Sequence, residues 1–363
     1  EYKKSPNLGQ AMLLLGVILF GANIMLIAQI YHIDAHYPNG VLMWALGGLL
    51  VAYLMNSQAA MIAGIALAVL WTGMETFGFD RSLHWPFLIL WALCLPWVYT
   101  HKWKAAWHFA LIGLLSWSWF AFCHISWSTH QWGRGAPVYL VQIYFLAYLG
   151  MFILGMAMTT YKHLALFSGL TQRYGAVAAL TSLYVLTFPD LYRGMRRWGE
   201  NDGLREAAPG LWIFLTFVAL IIVIGLAVWQ MARSGVVDRP AYLNWGQGLL
   251  ALLGVLLVMN LFVTGDPVGT MPVLFNLLFF AGLVLLIYAG FNRDDSFLVN
   301  TAFAFFGLGL LSRYFDTFWT LLTRSYFFMV GGLLLLAAGY MLEAQRRKLR
   351  RRMVARRGEG GRS

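Results

Sequence analysis

Long apolar runs separated by short polar turns dominate the chain. They lie at roughly residues 8–30, 39–55, 58–77, 85–100, 105–123, 137–159, 174–189, 210–232, 244–264, 270–291, 295–312 and 325–343. Most approach the roughly 20 residues that a bilayer crossing needs. The runs are apolar on every face and do not alternate, so they predict spanning helices and not the strands of a barrel. The expected fold is an all-α integral membrane protein of about 12 transmembrane helices, with no large soluble domain. Two runs are the least regular: the fourth contains Pro86 and Pro96, and the seventh has barely 16 residues. The first departs from the plain pattern. It begins apolar at Gly21 and leaves through Gln29, Tyr31, His32, Asp34 and His36.

Composition agrees with lipid as the solvent. The 363 residues are 60% hydrophobic and 11% charged, with a mean hydropathy of +0.67, whereas soluble domains carry about 25% charged residues. Net charge is +11, and nine of the 26 Lys and Arg fall in the last 18 residues. A basic block directly after the last apolar run, with Arg346, Arg347, Lys348, Arg350, Arg351 and Arg352, reads as a cytoplasmic tail facing anionic lipid. No nucleic-acid partner is expected. An even number of spans puts both termini on the tail's side. That side then carries 18 Lys and Arg against 6 Asp and Glu, and the other side 8 against 9. Without the tail the basic counts are 9 against 8, so the tail decides the orientation. The expected location is a bacterial inner membrane, multi-pass, with both termini cytoplasmic. Residues 190–207 form an outer loop whose segment LYRGMRRW predicts a surface-lying amphipathic helix. Cys94 and Cys123 lack metal-type spacing and read as small buried hydrophobes. No secretory signal stands out, and a start at Glu1 instead of Met leads us to expect preceding sequence. Nothing matches a nucleotide-binding loop, a Rossmann glycine motif or a hydrolase elbow, and no cofactor is expected.

Laying the ends of the chain together suggests a parallel repeat. Gly9-Gln10 pairs with Gly246-Gln247, Val41-Leu42-Met43 with Val273-Leu274-Phe275, Asn56-Ser57 with Asn292-Arg293, and Arg81-Ser82 with Arg324-Ser325. Spans one to four and nine to twelve would then be two four-helix units. The expected organisation is a first membrane unit at 1–100, a middle unit at 101–232, a last unit at 233–343 and a basic tail at 344–363.

The segment LFGANIMLIAQIYHI, followed by Trp44-Ala45, resembles a bacterial family, as does the ending SRYFDTFW…RSYFFMVGGLLLLAAGYMLEAQRRK. This is domain-of-unknown-function family 2157, predicted membrane proteins. Members usually carry a short soluble segment before the first helix, which this chain lacks. The resemblance implies a multi-pass bacterial inner-membrane protein. It supplies no activity, substrate or catalytic residue.

Polar groups in a membrane bundle are costly, so each needs a reason. The candidate binding residues at the outer face are Gln29, Tyr31, His32, Asp34, His36, Glu75, Asp80, Arg81, Arg134, Arg313 and Asp316. His32-x-Asp34-x-His36 has the spacing to grip a transition metal from one loop; the plainer reading is a wet loop whose histidines bond locally. Arg313 and Asp316, three apart, predict an ion pair on one helical turn. Arg suits phosphate or carboxylate, which would make this face a site for an anionic or polar headgroup. Asn23 and Asn260 read as structural amides that bond neighbouring helices. Of the 16 tryptophans, Trp117 and Trp119 lie deep enough to pack between helices.

Three functional classes fit. Placed first is a carrier or handler of a small solute or lipid-linked molecule, with its polar site at the periplasmic face and membrane lipid as partner. Next comes a non-catalytic scaffold or subunit working with other inner-membrane proteins. Third is a membrane enzyme acting on lipid or envelope glycan, which requires the outer carboxylates and histidines to converge. An enzyme is the less favoured class.

Overall fold

A computed structural model describes residues 6–32, 36–81, 83–127, 136–159, 161–192, 207–233, 249–257, 267–318 and 324–359. The described residues are helical, with no strand among them. In chain order they form α1 (Pro6–Ile30), α2 (Pro38–Met55), α3 (Gln58–Gly78), α4 (Pro86–Thr100), α5 (Lys104–Trp127), α6 (Ala136–Met158) and α7 (Ala165–Val185). A 3₁₀ turn at Pro189–Tyr192 follows, then α8 (Ala207–Arg233), α9 (249–257), α10 (Pro267–Asn292), α11 (Ser296–Phe318) and α12 (Arg324–Glu359).

Eight of these helices are long and apolar enough to cross a membrane: α1, α2, α3, α5, α6, α10, α11 and α12. α4 falls short at 15 residues, about 22 Å of helix at 1.5 Å per residue. At the seventh expected span, 174–189, the helix α7 runs 165–185 and so starts nine residues earlier, and it is not among the eight. The polar residues that pointed to a loop are accommodated inside the helix. Ser168 and Thr171 donate to the Ala165 and Phe167 carbonyls, and Gln172 donates to the Gly155 carbonyl of α6. The outer loop's expected amphipathic helix from Arg193 onward, the repeat anchor Gly246-Gln247, Asn260 and Arg134 lie outside the described residues, while Leu191 and Tyr192 belong to the 3₁₀ turn.

Two compact units divide the chain. The first comprises residues 1–140 and 155–174, the second 141–154 and 175–363. In the first unit, Val17, Leu49, Ala52, Met61, Ile65, Cys94, Val98 and Ala110 form the core. Gln10 of α1 accepts from the Ser57 hydroxyl at 2.6 Å and from the Ala59 amide at 3.3 Å. It thereby satisfies the orphan N-terminus of α3, which Ser57 also caps through Ala60. Trp44 donates to the Val17 carbonyl and Trp91 to the Ala110 carbonyl, both at 2.7 Å. Those two bonds tie α1 to α2 and α4 to α5. Tyr53 reaches the Leu93 carbonyl, within one turn of Pro96. Large apolar side chains such as Leu15, Leu19, Leu333 and Leu336 point outward, as contact with lipid requires.

The second unit is centred on Phe275, Phe279, Leu253, Leu256, Leu220 and Tyr192. Its α10–α11 turn places Asp294 in the left-handed region at φ 52° and closes with the Asp295 amide on the Gly290 carbonyl. The α2–α3 turn does the same at Asn56, φ 50°, with the Ser57 amide on the Ala52 carbonyl. The left-handed residue of the α10–α11 turn lies two positions past Asn292, the anchor that the repeat pairs with Asn56. The geometry also occurs at Lys102 between α4 and α5, so it belongs to short helix–helix turns in general.

α6 and α7 approach closely at two glycines. A Cβ on Gly155 would lie 2.7 Å from the Gln172 amide nitrogen, and one on Gly175 would lie 2.6 Å from that of Phe152. Small residues let helix backbones meet in a membrane. Gly175→Ala therefore forces two backbones apart. It is expected to destabilise the protein by about 1–3 kcal/mol, read as a lowered thermal midpoint in detergent. Gly169→Ala, with nothing within 4 Å of its Cβ, should leave that midpoint nearly unchanged.

Candidate functional site

A buried polar cluster lies at one end of the first unit, where α3 ends and α2 and α4 begin. The core-facing stripe of α3 runs Met61, Ile65, Ala68, Trp71, Thr72 and Glu75, at helical spacing. Apolar packing explains the first three. It does not explain Glu75, which is 5% exposed in the last turn. Its Oε1 accepts from Trp71 Nε1 at 3.3 Å, one turn back, and contacts His36 Nε2 at 2.7 Å. A carboxylate only accepts, so Nε2 carries the shared proton when Glu75 is ionised. His36 is held from the other side by Phe79, with ring centroids 3.9 Å apart. The Glu75 carbonyl takes the Phe79 and Arg81 amides, with Asp80 in the left-handed region between them. That turn closes α3 and fixes the carboxylate's height.

His84 completes the cluster. It is buried, stacks edge-on against Trp71 with centroids 4.3 Å apart, and lies 3.3 Å from the Thr72 hydroxyl through Nδ1. Thr72 already donates its hydroxyl proton to the Ala68 carbonyl, so its oxygen accepts and Nδ1 bears the His84 proton. Trp117 of α5 donates to the His84 carbonyl at 3.0 Å. Burial pushes the His84 pKa down, with Arg81 adding to that and Glu75 opposing it. Trp71 therefore links the two polar groups, donating to Glu75 and packing on His84.

Nearby, His124 of α5 approaches Asp80 at 3.3 Å. The Asp80 side chain is 90% exposed, so this contact contributes little. An apolar furrow of about 570 Å³ runs along α3, lined by Tyr37, Val69, Leu70, Gly73, Phe77 and Phe120 among others. Tyr37, the residue after His36, packs on Phe79, with centroids 5.2 Å apart. The furrow and the carboxylate thus occupy different faces of α3 and adjoin through His36-Tyr37.

The other expected site residues are placed as follows. Gln29, Tyr31 and His32 are exposed where α1 ends, with His32 at φ 47°. Arg81 is exposed beside the cluster. Asp34 lies outside the described residues, and the rest of the proposed metal grip is split: His36 is bonded to Glu75. Among the described residues no group of three His, Cys, Asp or Glu is placed to hold a metal ion. Arg313, in the second unit, donates to the Thr187 hydroxyl at 2.7 Å and to its carbonyl at 3.2 Å, and lies over the Phe188 ring. Asp316 is in α11, with its side chain undescribed. Asn23 donates to the Leu19 carbonyl of its own helix and not to a neighbouring one. Arg346 and Arg347 are exposed and pair with Glu343. Lys348, Arg350, Arg351 and Arg352 continue α12, with undescribed side chains. Trp71, Thr72 and His84 were not among the expected site residues. The signal for Trp71 was its four-residue spacing from Glu75.

A family described as "Predicted membrane protein (DUF2157)" matches residues 1–61. The match covers α1, α2 and the start of α3, including His32 and His36 but not Glu75. The ending expected to resemble the same family lies outside the matched span. No curated protein and no solved structure matches the chain.

Two outcomes follow from the cluster. A double-mutant cycle on His36→Ala and Glu75→Gln should show a coupling of about 1–2 kcal/mol in detergent unfolding. His84 supplies a pH dependence of definite sign. Its folded-state pKa lies below that of the unfolded imidazole, so the unfolded chain takes up the proton first. Its contribution is complete above about pH 6.5 and is lost as pH falls below that value, by at most about 1.4 kcal/mol per pH unit. His84→Gln should flatten the fall in unfolding midpoint between about pH 7 and pH 5 relative to the wild type.

Proposed function

We propose that the chain is a multi-pass protein of a bacterial inner membrane, with both termini cytoplasmic, that handles a lipid-linked molecule at its periplasmic face. Glu75 carries the reading. An ionisable side chain enclosed in an apolar helix bundle points to function, because a purely structural role is filled at less cost by an amide or a hydroxyl. Here the carboxylate is held by two donors, His36 and Trp71. The half-exposed His36 lets a hydroxyl or amine headgroup approach the pair. The furrow along α3 gives an acyl or isoprenoid chain an apolar path that ends at Tyr37. This favours an amphiphile over a free solute. The basic end of α12 supports anionic lipid as a further partner.

The same His36–Glu75 contact also favours a second reading, an enzyme that moves a proton on a lipid or glycan substrate. Asp80, the other carboxylate nearby, is turned to solvent and to His124. Among the described residues the pair has no second enclosed acid of the kind glycan cleavage uses, and lipid handling stays ahead.

Reconstitution tests the proposal. Proteoliposomes bearing the wild-type protein should move headgroup-labelled lipids across the bilayer faster than empty vesicles. Glu75→Gln should slow that transfer about tenfold, a loss of roughly 1.4 kcal/mol, and His32→Ala should leave it near the wild-type rate. Wild-type vesicles indistinguishable from empty ones across neutral, anionic and isoprenoid-linked probes would sink the reading.

A further inference from the structure

The two donors on Glu75 share one oxygen. Trp71 Nε1 and His36 Nε2 both meet Oε1, at 3.3 and 2.7 Å. Among the described residues nothing bonds Oε2, and Oε2 is not one of the polar atoms sealed inside the fold. His36 is divided in the same way. Its Nε2 is engaged by Glu75, while Nδ1 has no partner among the described residues and the side chain is 31% exposed. With the proton on Nε2, Nδ1 is an acceptor. The pair therefore has two open acceptors, Oε2 and Nδ1, and no open donor.

Charge points the same way. An ionised Glu75 beside a neutral His36 leaves one negative charge enclosed, and among the described residues no Lys or Arg pairs with it. The C-terminal end of α3 adds the negative pole of the helix dipole. An enclosed charge is costly until a counter-charge meets it. Phe79 and Tyr37, both exposed beside His36, add aromatic rings, which attract a cation.

We infer that the headgroup taken by this pair is a primary ammonium, so that the lipid handled is an amine-headed amphiphile. The inference rests on the lipid-handling reading of Glu75 and names its substrate class. A primary ammonium brings a positive charge together with several N–H donors. A hydroxyl brings a donor without the charge and leaves Glu75 uncompensated. A trimethylammonium brings the charge without an N–H and leaves Oε2 and Nδ1 unbonded.

Competition binding to the full-length protein in a neutral maltoside detergent tests this, with tritiated dodecylamine as the probe. Unlabelled dodecylamine should displace it about tenfold more effectively than dodecanol or dodecyltrimethylammonium does. That ranking is read on the wild-type protein and needs no variant to fold. Glu75→Gln should weaken binding about tenfold. Asp80→Asn, which removes an exposed carboxylate nearby, should leave it unchanged. Equal displacement by dodecanol or by dodecyltrimethylammonium would overturn the ammonium headgroup and leave lipid handling to stand on the transfer assay. Equal effects of the two variants would mark diffuse attraction to the surface and overturn the site. Absence of saturable dodecylamine binding would overturn the inference as well. The underlying reading fails separately, when wild-type vesicles move no lipid.

Discussion

A hydrocarbon solvent bonds no polar group, so a donor or acceptor inside the bundle is costly unless it finds a partner in the chain itself. That constraint explains most of the long-range polar contacts. Gln10 satisfies the start of α3, the indoles of Trp44 and Trp91 reach carbonyls on facing helices, and Gln172 reaches Gly155. Asn276 answers the Thr187 and Pro272 carbonyls, the latter within its own helix beside a proline that interrupts the ladder. Apolar surface between helices gives little preference for one crossing over another when lipid is equally apolar. Side chains that must reach a particular carbonyl set the register instead, and glycines such as Gly155 and Gly175 set the distance.

The same constraint made the fold legible. A helix is the only way a single apolar run can satisfy its own backbone, so α1, α2, α3, α5, α6, α10 and α11 form close to the expected limits. α7 was misjudged because Ser168, Thr171 and Gln172 look like a loop to any rule that counts polarity. Hydroxyls that bond back to their own helix remove that signal. The site was legible in part. Glu75 and His36 stood out as polar groups near helix ends, but they are 39 residues apart and nothing local announces that they meet. Trp71 and His84 were hidden by their ordinary explanations, an interfacial indole and an outer-loop imidazole. Trp117, expected to pack between helices, does so and bonds the His84 carbonyl, whereas Trp119 is exposed.

Two charged residues near helix ends show why the cluster supports a functional reading. Arg313 lies one turn short of the last turn of α11, and its guanidinium is taken up by the Thr187 carbonyl and hydroxyl. Packing and electrostatics account for it within the fold. Glu75 occupies the last turn of α3, where the dipole is unfavourable to an anion by about 0.3–1 kcal/mol. Burial adds to that cost. A residue chosen only to fix the bundle would be an arginine here, or an amide bonded to Trp71. The chain instead places an acid in this position and then offsets it with the proton of His36 and the indole of Trp71. An arrangement that places an acid where the fold disfavours it, and leaves its imidazole partner half open to the surroundings, suits a group kept for what it binds.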